Sequence, residues 1–437
     1  MTRPGGLWQN WARTERVRPQ RVEYPPTVAA VRRSVAAAGA RGLRIKAVGA
    51  GHSFTGIAVA PGVLLELSDL SGLVSVDRER ARVRLLAGTR LHQIPALLAP
   101  HGLAMENLGD IDRQSIAGAI STGTHGTGAR FGGIATQVVA ATLVTADGDL
   151  LTVDETENAE LLPAVALGLG ALGILVDVTL QCVPAFVLHA VERPEPLGAV
   201  LADLDRRTAD ADHFEFYWFP HTDVALTKTN TRLPVDAPTS PLRPVTRWVD
   251  DLLVGNGLHQ AVCSVGRGVP ASIPAINRLS ARVWGDRTFS DASHRVFATA
   301  RGVRFREMEY AVPIAALATA FRDLQRLIDD NDWRIEFPVE VRVAAADDLW
   351  MSTAHGRASG YIAVHRYWRA GHDEYFAAVE EVMRAHGGRP HWGKLHTQDA
   401  PALRASYPRF DEFVALRDRL DPHRRFTNAY LDRVLGG

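Results

Sequence analysis

An acidic and a basic residue alternate in one short apolar run of the sequence. Glu340 and Arg342 lie in the segment FPVEVRV. Side chains two residues apart in a β-strand point to the same face, so this carboxylate and guanidinium share one wall of a sheet. An exposed ion pair would also explain them and would contribute little stability. The apolar surroundings favour burial instead, and buried charges need partners or a ligand.

Two other polar side chains accompany apolar segments in the second half of the chain. Lys394 follows a glycine in PHWGKLH, where its ammonium could reach a substrate oxygen, although a lone lysine is more often solvated. His365 ends the run YIAVHRYW and fits either a hydrogen bond to a substrate hydroxyl or a structural role. Together with Glu340 and Arg342, they are the catalytic candidates.

A first glycine segment, VGAGHSF, follows a short apolar run that predicts a strand. Gly49 and Gly51 would let backbone N–H groups approach an anion such as phosphate without interference from a Cβ atom. The spacing is not GxGxxG, which disfavours a nicotinamide site. A glycine turn with a surface histidine, His52, remains an equally good interpretation of this segment alone.

A second glycine segment extends between Leu108 and Gly133 and is predicted as a loop region. It joins glycines with Ser and Thr hydroxyls and is free of charge over a dozen residues, which a polar connecting loop does not explain. Backbone amides and hydroxyls of this kind bind a planar cofactor that carries phosphate. The cofactor-binding candidates from the two segments are Val48, Gly49, Ala50, Gly51, His52, Ser53, Gly109, Asp110, Ser115, Gly118, Ala119, Ser121, Thr122, Gly123, His125 and Gly126.

Several other chemistries have little support in the sequence. No HExxH motif or paired-carboxylate spacing indicates a metal, so no metal is expected. Neither a G-x-S-x-G elbow nor a G-x-x-x-x-G-K-[ST] phosphate loop occurs. The two cysteines, Cys182 and Cys263, are far apart and predict no disulfide framework.

Length and composition indicate a soluble protein of at least two domains. The 437 residues are 46% hydrophobic and 22% charged, which is typical of folded globular chains. The 49 basic and 49 acidic residues balance, so no global field favours nucleic acid. The first residues lack an apolar signal segment, and no apolar run approaches a bilayer span of about 20 residues. A cytoplasmic location is expected, and peripheral membrane contact stays open.

Hydrophobic periodicity predicts an α+β fold. An Ala-rich helix follows Pro26, and hairpins are expected within 72–88 and at the turn Asp147-Gly148. The run from Gly170 to Glu192 predicts a buried turn followed by one long strand. Further strands and helices follow to about residue 390. A domain boundary is placed near Pro184.

Seven motifs make the chain resemble the aldonolactone oxidoreductases of the vanillyl-alcohol-oxidase FAD family, whose members act on L-gulono-1,4-lactone, D-arabinono-1,4-lactone or alditols. They are VGAGHSF, GDIDRQSIAGAISTGTHGTG, LGALGILVDVTLQ, FREMEYAVP, FPVEVRV, YIAVHRY and PHWGKLH. The resemblance implies a two-subdomain FAD-binding domain of the PCMH type over 1–184 and an α+β substrate domain over the flavin at 185–390. A C-terminal segment, 391–437, would return to the FAD domain and close the active site.

The resemblance also implies roles for the candidate residues. His52 matches the histidine that bonds to the flavin 8α-methyl group, which implies covalent FAD, with Gly49, Ala50, Gly51 and Ser53 along the pyrophosphate. Backbone contacts to FAD are implied near Ile174. The residues implied to lie along the flavin are Ser115, Gly118, Ser121, Thr122, Gly123, His125 and Gly126.

The expected reaction is oxidation of a sugar-lactone hydroxyl, foremost L-gulono-1,4-lactone to L-ascorbate, by hydride transfer to flavin N5. Glu340, Arg342 and Lys394 match active-site groups of the alditol oxidases. An alditol oxidase acting on the C1 hydroxyl of xylitol or sorbitol, and a flavin-binding protein without turnover, are the two alternatives. The electron acceptor, O2 or a protein or dye, is left open by the sequence.

Overall fold

The computed structural model describes residues 2–4, 6–243, 268–283, 286–299 and 303–437. Cys263 and the end of the Pro-rich stretch 233–245 lie outside these residues. The strands are β1 (Thr2–Pro4), β2 (Trp8–Gln9), β3 (Arg16–Val17), β4 (Arg21–Glu23), β5 (Ile45–Val48), β6 (Val63–Glu66), β7 (Leu73–Asp77), β8 (Arg82–Leu86), β9 (Leu103–Ala104), β10 (Val138–Val144), β11 (Leu150–Val153), β12 (Ile174–Gln181), β13 (Val183–Pro184), β14 (Phe186–Pro196), β15 (His213–Trp218), β16 (Val224–Pro234), β17 (Arg287–Ala292), β18 (Phe305–Pro313), β19 (Val339–Ala344), β20 (Ser359–Tyr367) and β21 (Arg389–Pro390).

Helices cover these sheets or connect their strands. They are α1 (Val28–Gly39), α2 (Ile94–Leu98), α3 (Ile116–Thr122), α4 (Leu162–Val165), α5 (Leu197–Ala202), α6 (Leu204–Asp210), α7 (Ile273–Val283), α8 (Ser293–Phe297), α9 (Leu317–Asp330), α10 (Asp373–Ala385), α11 (Ala400–Ser406), α12 (Phe410–Leu420) and α13 (Ala429–Leu435). The predicted α+β class is confirmed by this mixture of helices and largely antiparallel sheets.

Two sheets form the first part of the chain. The smaller sheet has the order β1-β4-β6-β5, with β4, β6 and β5 parallel, and the larger has the antiparallel order β11-β10-β12-β8-β7. Helix α1 begins after the Thr27 cap, whose hydroxyl accepts from the N–H of Ala30. Its buried Val31 and Val35 pack in one core with residues of both sheets. Strand β5 therefore ends at a fixed point, directly before the first glycine segment.

An eight-stranded antiparallel sheet dominates the second part, in the order β17-β14-β16-β15-β19-β20-β18-β21. Helix α9 buries Phe321, Leu324 and Ile328 in one core with residues of strands β15, β18, β19 and β20. The sheet also contacts the second glycine segment, because Gly128 N–H donates to the carbonyl of Val343 at 2.9 Å. This hydrogen bond brings the cofactor candidates and the catalytic candidates together.

A row of alternating charges crosses five neighbouring strands of this sheet. Arg287 lies opposite Glu192, Glu192 opposite Lys228, and Lys228 opposite Glu215. The row continues to Arg342, whose Nε donates to Glu215 at 2.9 Å. We call these five residues the charge row. Apart from Arg287, its members are buried, so each charge depends on its neighbours across the strands.

The predicted loop region from Leu108 to Gly133 is wrong in part, because helix α3 lies inside it. The Ser115 hydroxyl accepts from the N–H of Gly118 and caps the helix, and Gly123, with φ of 78°, ends it. Small side chains such as Ala119 let the helix sink into the core, where that residue is fully buried. The low charge of the second glycine segment is therefore explained by the burial of helix α3 as well as by ligand binding.

The single long strand expected within 170–192 is divided into β12, β13 and β14. Strand β12 belongs to the five-stranded sheet and β14 to the eight-stranded sheet, because the chain changes sheets around Val183 and Pro184. The predicted boundary at 184 falls at this change, and the division into domains stays a prediction. No helix among the described residues is long and apolar enough to cross a bilayer.

Candidate active site

Two neighbouring cavities, of about 720 and 980 Å³, share part of their walls. The shared residues are His52, Ser53, Gln114 and Thr122. The larger cavity follows the glycine segments and is called the cofactor cavity. The smaller one faces strands β18 and β19 and is called the catalytic cavity. An elongated ligand can therefore pass from one to the other beside His52.

The cofactor cavity is lined by most of the residues predicted for cofactor contact. They are Val48, Gly49, Ala50, Gly51, His52, Ser53, Ser115, Gly118, Ser121, Thr122 and Ile174. Gly109, Asp110 and His125 instead line the catalytic cavity.

Three predicted cofactor residues do not line either cavity. Ala119 is fully buried in the core, and Gly123 ends helix α3 in the left-handed region. Gly126 packs against the Leu108 carbonyl and the Asn107 side chain, where a Cβ would clash. Packing therefore accounts for the small size of these three residues, and their contact with the cofactor stays a prediction.

The glycines of the cofactor cavity fit a phosphate-bearing ligand. A Cβ at Gly49 would overlap the Ser115 hydroxyl, and Gly51 and Gly170 have φ of 67° and 61°, which favour glycine. The cavity wall is consequently made largely of backbone, which can approach a pyrophosphate closely.

Lys46 is a cofactor-cavity residue that the sequence analysis missed. Its ammonium donates to the carbonyls of Gly170 and Phe426, each at 2.9 Å. Burial lowers the pKa of Lys46 to about 7, against the opposing effect of Asp421. Lys46 lies two residues before the first glycine segment. Its role had no signal in the sequence, because its partners are backbone carbonyls more than 100 residues away along the chain.

His52 is held as a neutral ring at the junction of the cavities. Burial, together with the positive charges of Arg90 and Lys394, lowers the pKa of His52 to about 4. Its ring lies 5.9 Å from that of Trp11, centroid to centroid. A neutral imidazole keeps a lone pair on one nitrogen, which a covalent bond to carbon requires.

Arg342 is surrounded by carboxylates from three separate elements. Its Nε donates to Glu215 at 2.9 Å, and its Nη2 contacts Glu340 and lies 3.4 Å from Asp110. Tyr217 donates its hydroxyl proton to Glu340 at 2.8 Å. Burial lowers the pKa of Arg342, but these carboxylates outweigh that effect and raise it well above its ordinary value. Arg342 also lines the catalytic cavity, so its guanidinium can contact a ligand there.

Lys394 and Glu307 form the second charged pair of the catalytic cavity, and they are in direct contact. Burial raises the pKa of Glu307, but Lys394 and His365 outweigh it and lower that pKa to about 2. Burial lowers the pKa of Lys394, but Glu307 and Glu309 outweigh it, so that this pKa is raised. The ammonium therefore stays charged and faces the cavity beside the ring of Phe54.

Two histidines of the catalytic cavity are held by hydrogen-bonding partners. Nδ1 of His125 lies 2.8 Å from the Gly126 carbonyl and its Nε2 lies 3.2 Å from Glu309. Both nitrogens of His125 therefore have a protein partner. Nδ1 of His391 accepts from the Gly393 N–H. These three ring nitrogens are engaged by the protein and are not open to a substrate proton.

His365 is not on the wall of the catalytic cavity. Its Nδ1 donates to the Pro338 carbonyl at 3.1 Å, and its Nε2 lies 3.5 Å from Glu307, behind that carboxylate. These contacts favour the structural role for His365, and its contact with a substrate hydroxyl stays a prediction. The other catalytic candidates, Glu340, Arg342 and Lys394, all line the cavity.

The sequence analysis missed the carboxylates of strand β18. Glu307 and Glu309 alternate in FREMEYAVP as Glu340 and Arg342 do in FPVEVRV, and both line the catalytic cavity. The same period-two argument would have found them. Glu215 carried no such signal, because its role comes from the pairing of β15 with its neighbours.

A cavity for an elongated, phosphate-bearing cofactor that opens beside buried cations defines a flavin-dependent oxidoreductase. A model described as an FAD-binding domain matches residues 19–154, and a model described as D-arabinono-1,4-lactone oxidase matches residues 178–434. The chain belongs to the D-arabinono-1,4-lactone oxidase family. FAD is its cofactor, as the resemblance implied, and the non-catalytic alternative has no support from this family.

Named relatives cover nearly the whole chain. An L-gulono-1,4-lactone dehydrogenase from Mycobacterium tuberculosis is 42% identical, over 98% of this chain and 99% of the relative. An L-gulonolactone oxidase from Scyliorhinus torazame is 36% identical over 98% of both. An alditol oxidase from a Streptomyces species is 32% identical over 89% of this chain and 90% of the relative.

A solved structure confirms the predicted fold class. Cholesterol oxidase from B. sterolicum superposes with a TM-score of 0.82, covering 100% of this chain and 97% of that chain, at 20% identity. At this identity the likeness concerns the fold alone.

Replacing Gly49 with alanine should impair FAD binding, because the new methyl group would displace the Ser115 hydroxyl that caps helix α3. We expect the ratio of flavin to protein absorbance of the purified G49A variant to fall at least several-fold. Gly198→Ala is the matched control, since a Cβ there meets no atom within 4 Å. Full flavin content in G49A would contradict this view of the cofactor cavity.

Acid should destabilise the fold through its buried neutral histidines. Burial lowers the pKa of His213 and His391 to about 4 and that of His396 to about 3, from 6.5. Their contribution to the free energy of unfolding is complete above pH 6.5 and is lost as the pH falls towards 4. Each histidine then loses about 1.4 kcal/mol per pH unit. The pKa of Glu307 is lowered to about 2, so the stabilising contribution of its carboxylate is lost only below about pH 4.5.

The expected result is a thermal midpoint that falls steeply between pH 6.5 and 4.5 in scanning calorimetry at constant ionic strength. The His396→Asn variant, which removes one of the titrating rings, should show a shallower fall. A midpoint that is independent of pH in this window would show that these histidines have the same pKa values in the folded protein as in the unfolded chain.

Proposed function

We propose that the protein oxidises the C2 hydroxyl of L-gulono-1,4-lactone to a keto-lactone, which tautomerises to L-ascorbate. The observation that carries this proposal is the pair of buried cations, Arg342 and Lys394, in one cavity with His52. A neutral polyhydroxylated lactone presents oxygens to such cations. The 42% identity to an L-gulono-1,4-lactone dehydrogenase supports the choice of substrate.

Bound FAD supplies the acceptor for the hydride that leaves the substrate carbon. The protein's task is to lower the energy of the negative charge that develops on the substrate oxygen. Arg342 and Lys394 are fixed by their carboxylate partners before substrate enters, so they need little rearrangement to stabilise that charge.

The hydroxyl proton requires an acceptor, and three ring nitrogens of His125 and His391 are already engaged by the protein. We assign acceptance of this proton to the carboxylate of Glu340, which lies in the cavity beside Arg342. On strand β20 the residue that pairs with both Glu309 and Glu340 is Ala363. Its short side chain leaves space for a substrate between the two acidic residues.

The proposal includes a covalent bond between His52 and the flavin. His52 is the residue at which the two cavities meet, and its ring is neutral. The bond would fix the flavin ring in the catalytic cavity while the remaining cofactor follows the glycine segments. The electron acceptor and a cytoplasmic or peripheral membrane location stay predictions.

The Arg342→Lys variant should reduce its flavin about 10²–10³-fold more slowly with L-gulono-1,4-lactone, since one ammonium cannot replace a guanidinium held by three carboxylates. The rate is measured anaerobically by bleaching of the flavin absorbance. Arg366→Lys is the control, because Arg366 pairs with Glu336 outside the cavity. Bleaching by xylitol in place of the lactone would favour the alditol alternative, and an unchanged rate in R342K would refute the role of Arg342.

Acid precipitation of the native protein should leave the flavin with the pellet, because a bond to His52 survives denaturation. The His52→Ala variant should release FAD into the supernatant while its folded form still binds the cofactor. His92→Ala, at a surface histidine of the same part of the fold, serves as the control. A colourless native pellet would disprove the covalent link and leave the non-covalent site intact.

A further inference from the structure

Three arginines gather around one tryptophan near the catalytic cavity. The guanidinium carbon lies 4.5 Å from the ring centroid of Trp368 for Arg369, 5.1 Å for Arg13 and 5.5 Å for Arg304. Arg304 also lies 5.9 Å from the ring of Trp11. We call these five residues the arginine–tryptophan patch. The side chains of Arg13 and Arg369 are exposed, and the other three are partly buried.

The patch has positive charge without a matching acid. Among the described residues, no carboxylate pairs with Arg13, Arg304 or Arg369, and Nε of Arg304 is buried without a hydrogen-bond partner. Burial, followed by the positive charge of Arg13, lowers the pKa of Arg304. Like charges held together repel one another, so the patch favours binding of an anion.

The patch also extends to the flavin attachment point. Trp11 lines the catalytic cavity, and its ring centroid is 5.9 Å from that of His52. Its backbone N–H donates to the carbonyl of Gly51 at 2.8 Å. In the same turn, Thr14 donates its hydroxyl proton to the Phe54 carbonyl at 2.6 Å. The turn that carries Trp11 and Arg13 is therefore fixed to the His52 segment.

We propose that the arginine–tryptophan patch is the docking site of a small multivalent anionic electron acceptor, which removes electrons at the flavin edge attached to His52. The three guanidinium carbons all lie within 5.5 Å of one ring centroid, so their positive charges are concentrated at one place on the surface and together attract an anion. This inference rests on the proposed tether at His52. Reoxidation of the flavin that has taken up the hydride passes one electron to each of two acceptor molecules, regenerates oxidised FAD and releases one proton to water. The second proton of the turnover, from the substrate hydroxyl, leaves from Glu340.

The test measures reoxidation alone. Holoenzyme is reduced with stoichiometric dithionite under anaerobic conditions and mixed with trianionic ferricyanide or tricationic hexaammineruthenium(III), and the return of flavin absorbance gives a second-order rate constant. The Arg13→Gln/Arg369→Gln variant should react about tenfold more slowly with ferricyanide at low salt, and the deficit should disappear at high salt. Its rate with the ruthenium complex should not fall.

The control is Arg33→Gln/Arg322→Gln, which removes two exposed arginines from helices α1 and α9 outside the patch. This variant should react with ferricyanide at the rate of the unmodified protein. Equal ferricyanide rates in the patch and control variants would overturn the proposal. Because dithionite replaces the lactone, failure of lactone oxidation leaves this test intact, and the acid-precipitation result reports on the tether separately.

A second measurement detects the anion without electron transfer. Iodide should quench tryptophan fluorescence less in R13Q/R369Q than in the control variant, because the local anion concentration at Trp368 falls. Neutral acrylamide should quench both variants alike. Identical iodide quenching in the two variants would show that the patch does not attract anions.

Discussion

The buried guanidinium of Arg342 is the interaction on which the catalytic half of the molecule depends. Its carboxylate partners come from the second glycine segment (Asp110), from β15 (Glu215) and from β19 (Glu340). Each of these groups would be costly to bury alone. The guanidinium stabilises its three carboxylate neighbours, and Lys228, 3.6 Å from Glu215, offsets part of the remaining negative charge. The same contacts orient the guanidinium towards the cavity. Stability and catalytic geometry therefore have one common source.

His52 lies where the catalytic cavity, which contains the charged side chains, meets the cofactor cavity, whose wall at the glycines is backbone. The cofactor cavity is lined by glycines and small side chains, whereas the catalytic cavity is lined by ionised groups. This difference suits the two ends of a dinucleotide cofactor, one bound for its shape and phosphates and the other exposed to reacting atoms. Because of this difference, substitutions in the eight-stranded sheet can alter the catalytic cavity without altering the residues that hold the cofactor.

Sequence patterns predicted the parts of this site that depend on local periodicity. Alternation placed Glu340 and Arg342 on one face, and the glycine segments marked the cofactor cavity. The cap at Ser115 and helix α3 were missed because their glycines suggested a loop, although the small residues serve burial. Glu215 and Lys46 were out of reach, since their partners lie on distant strands and turns. Periodicity also gives the face of the sheet that carries His365 but not that Glu307 lies between its ring and the catalytic cavity.

The charge row has a consequence for assembly of the eight-stranded sheet. Its members sit on strands β17, β14, β16, β15 and β19, so a shift of one strand by two residues would keep the apolar core facing inward yet place a buried charge beside an uncharged neighbour. Hydrophobic patterning alone tolerates such a slip, and electrostatics does not. Correct alignment of the strands and formation of the reactive centre are thus one and the same folding event.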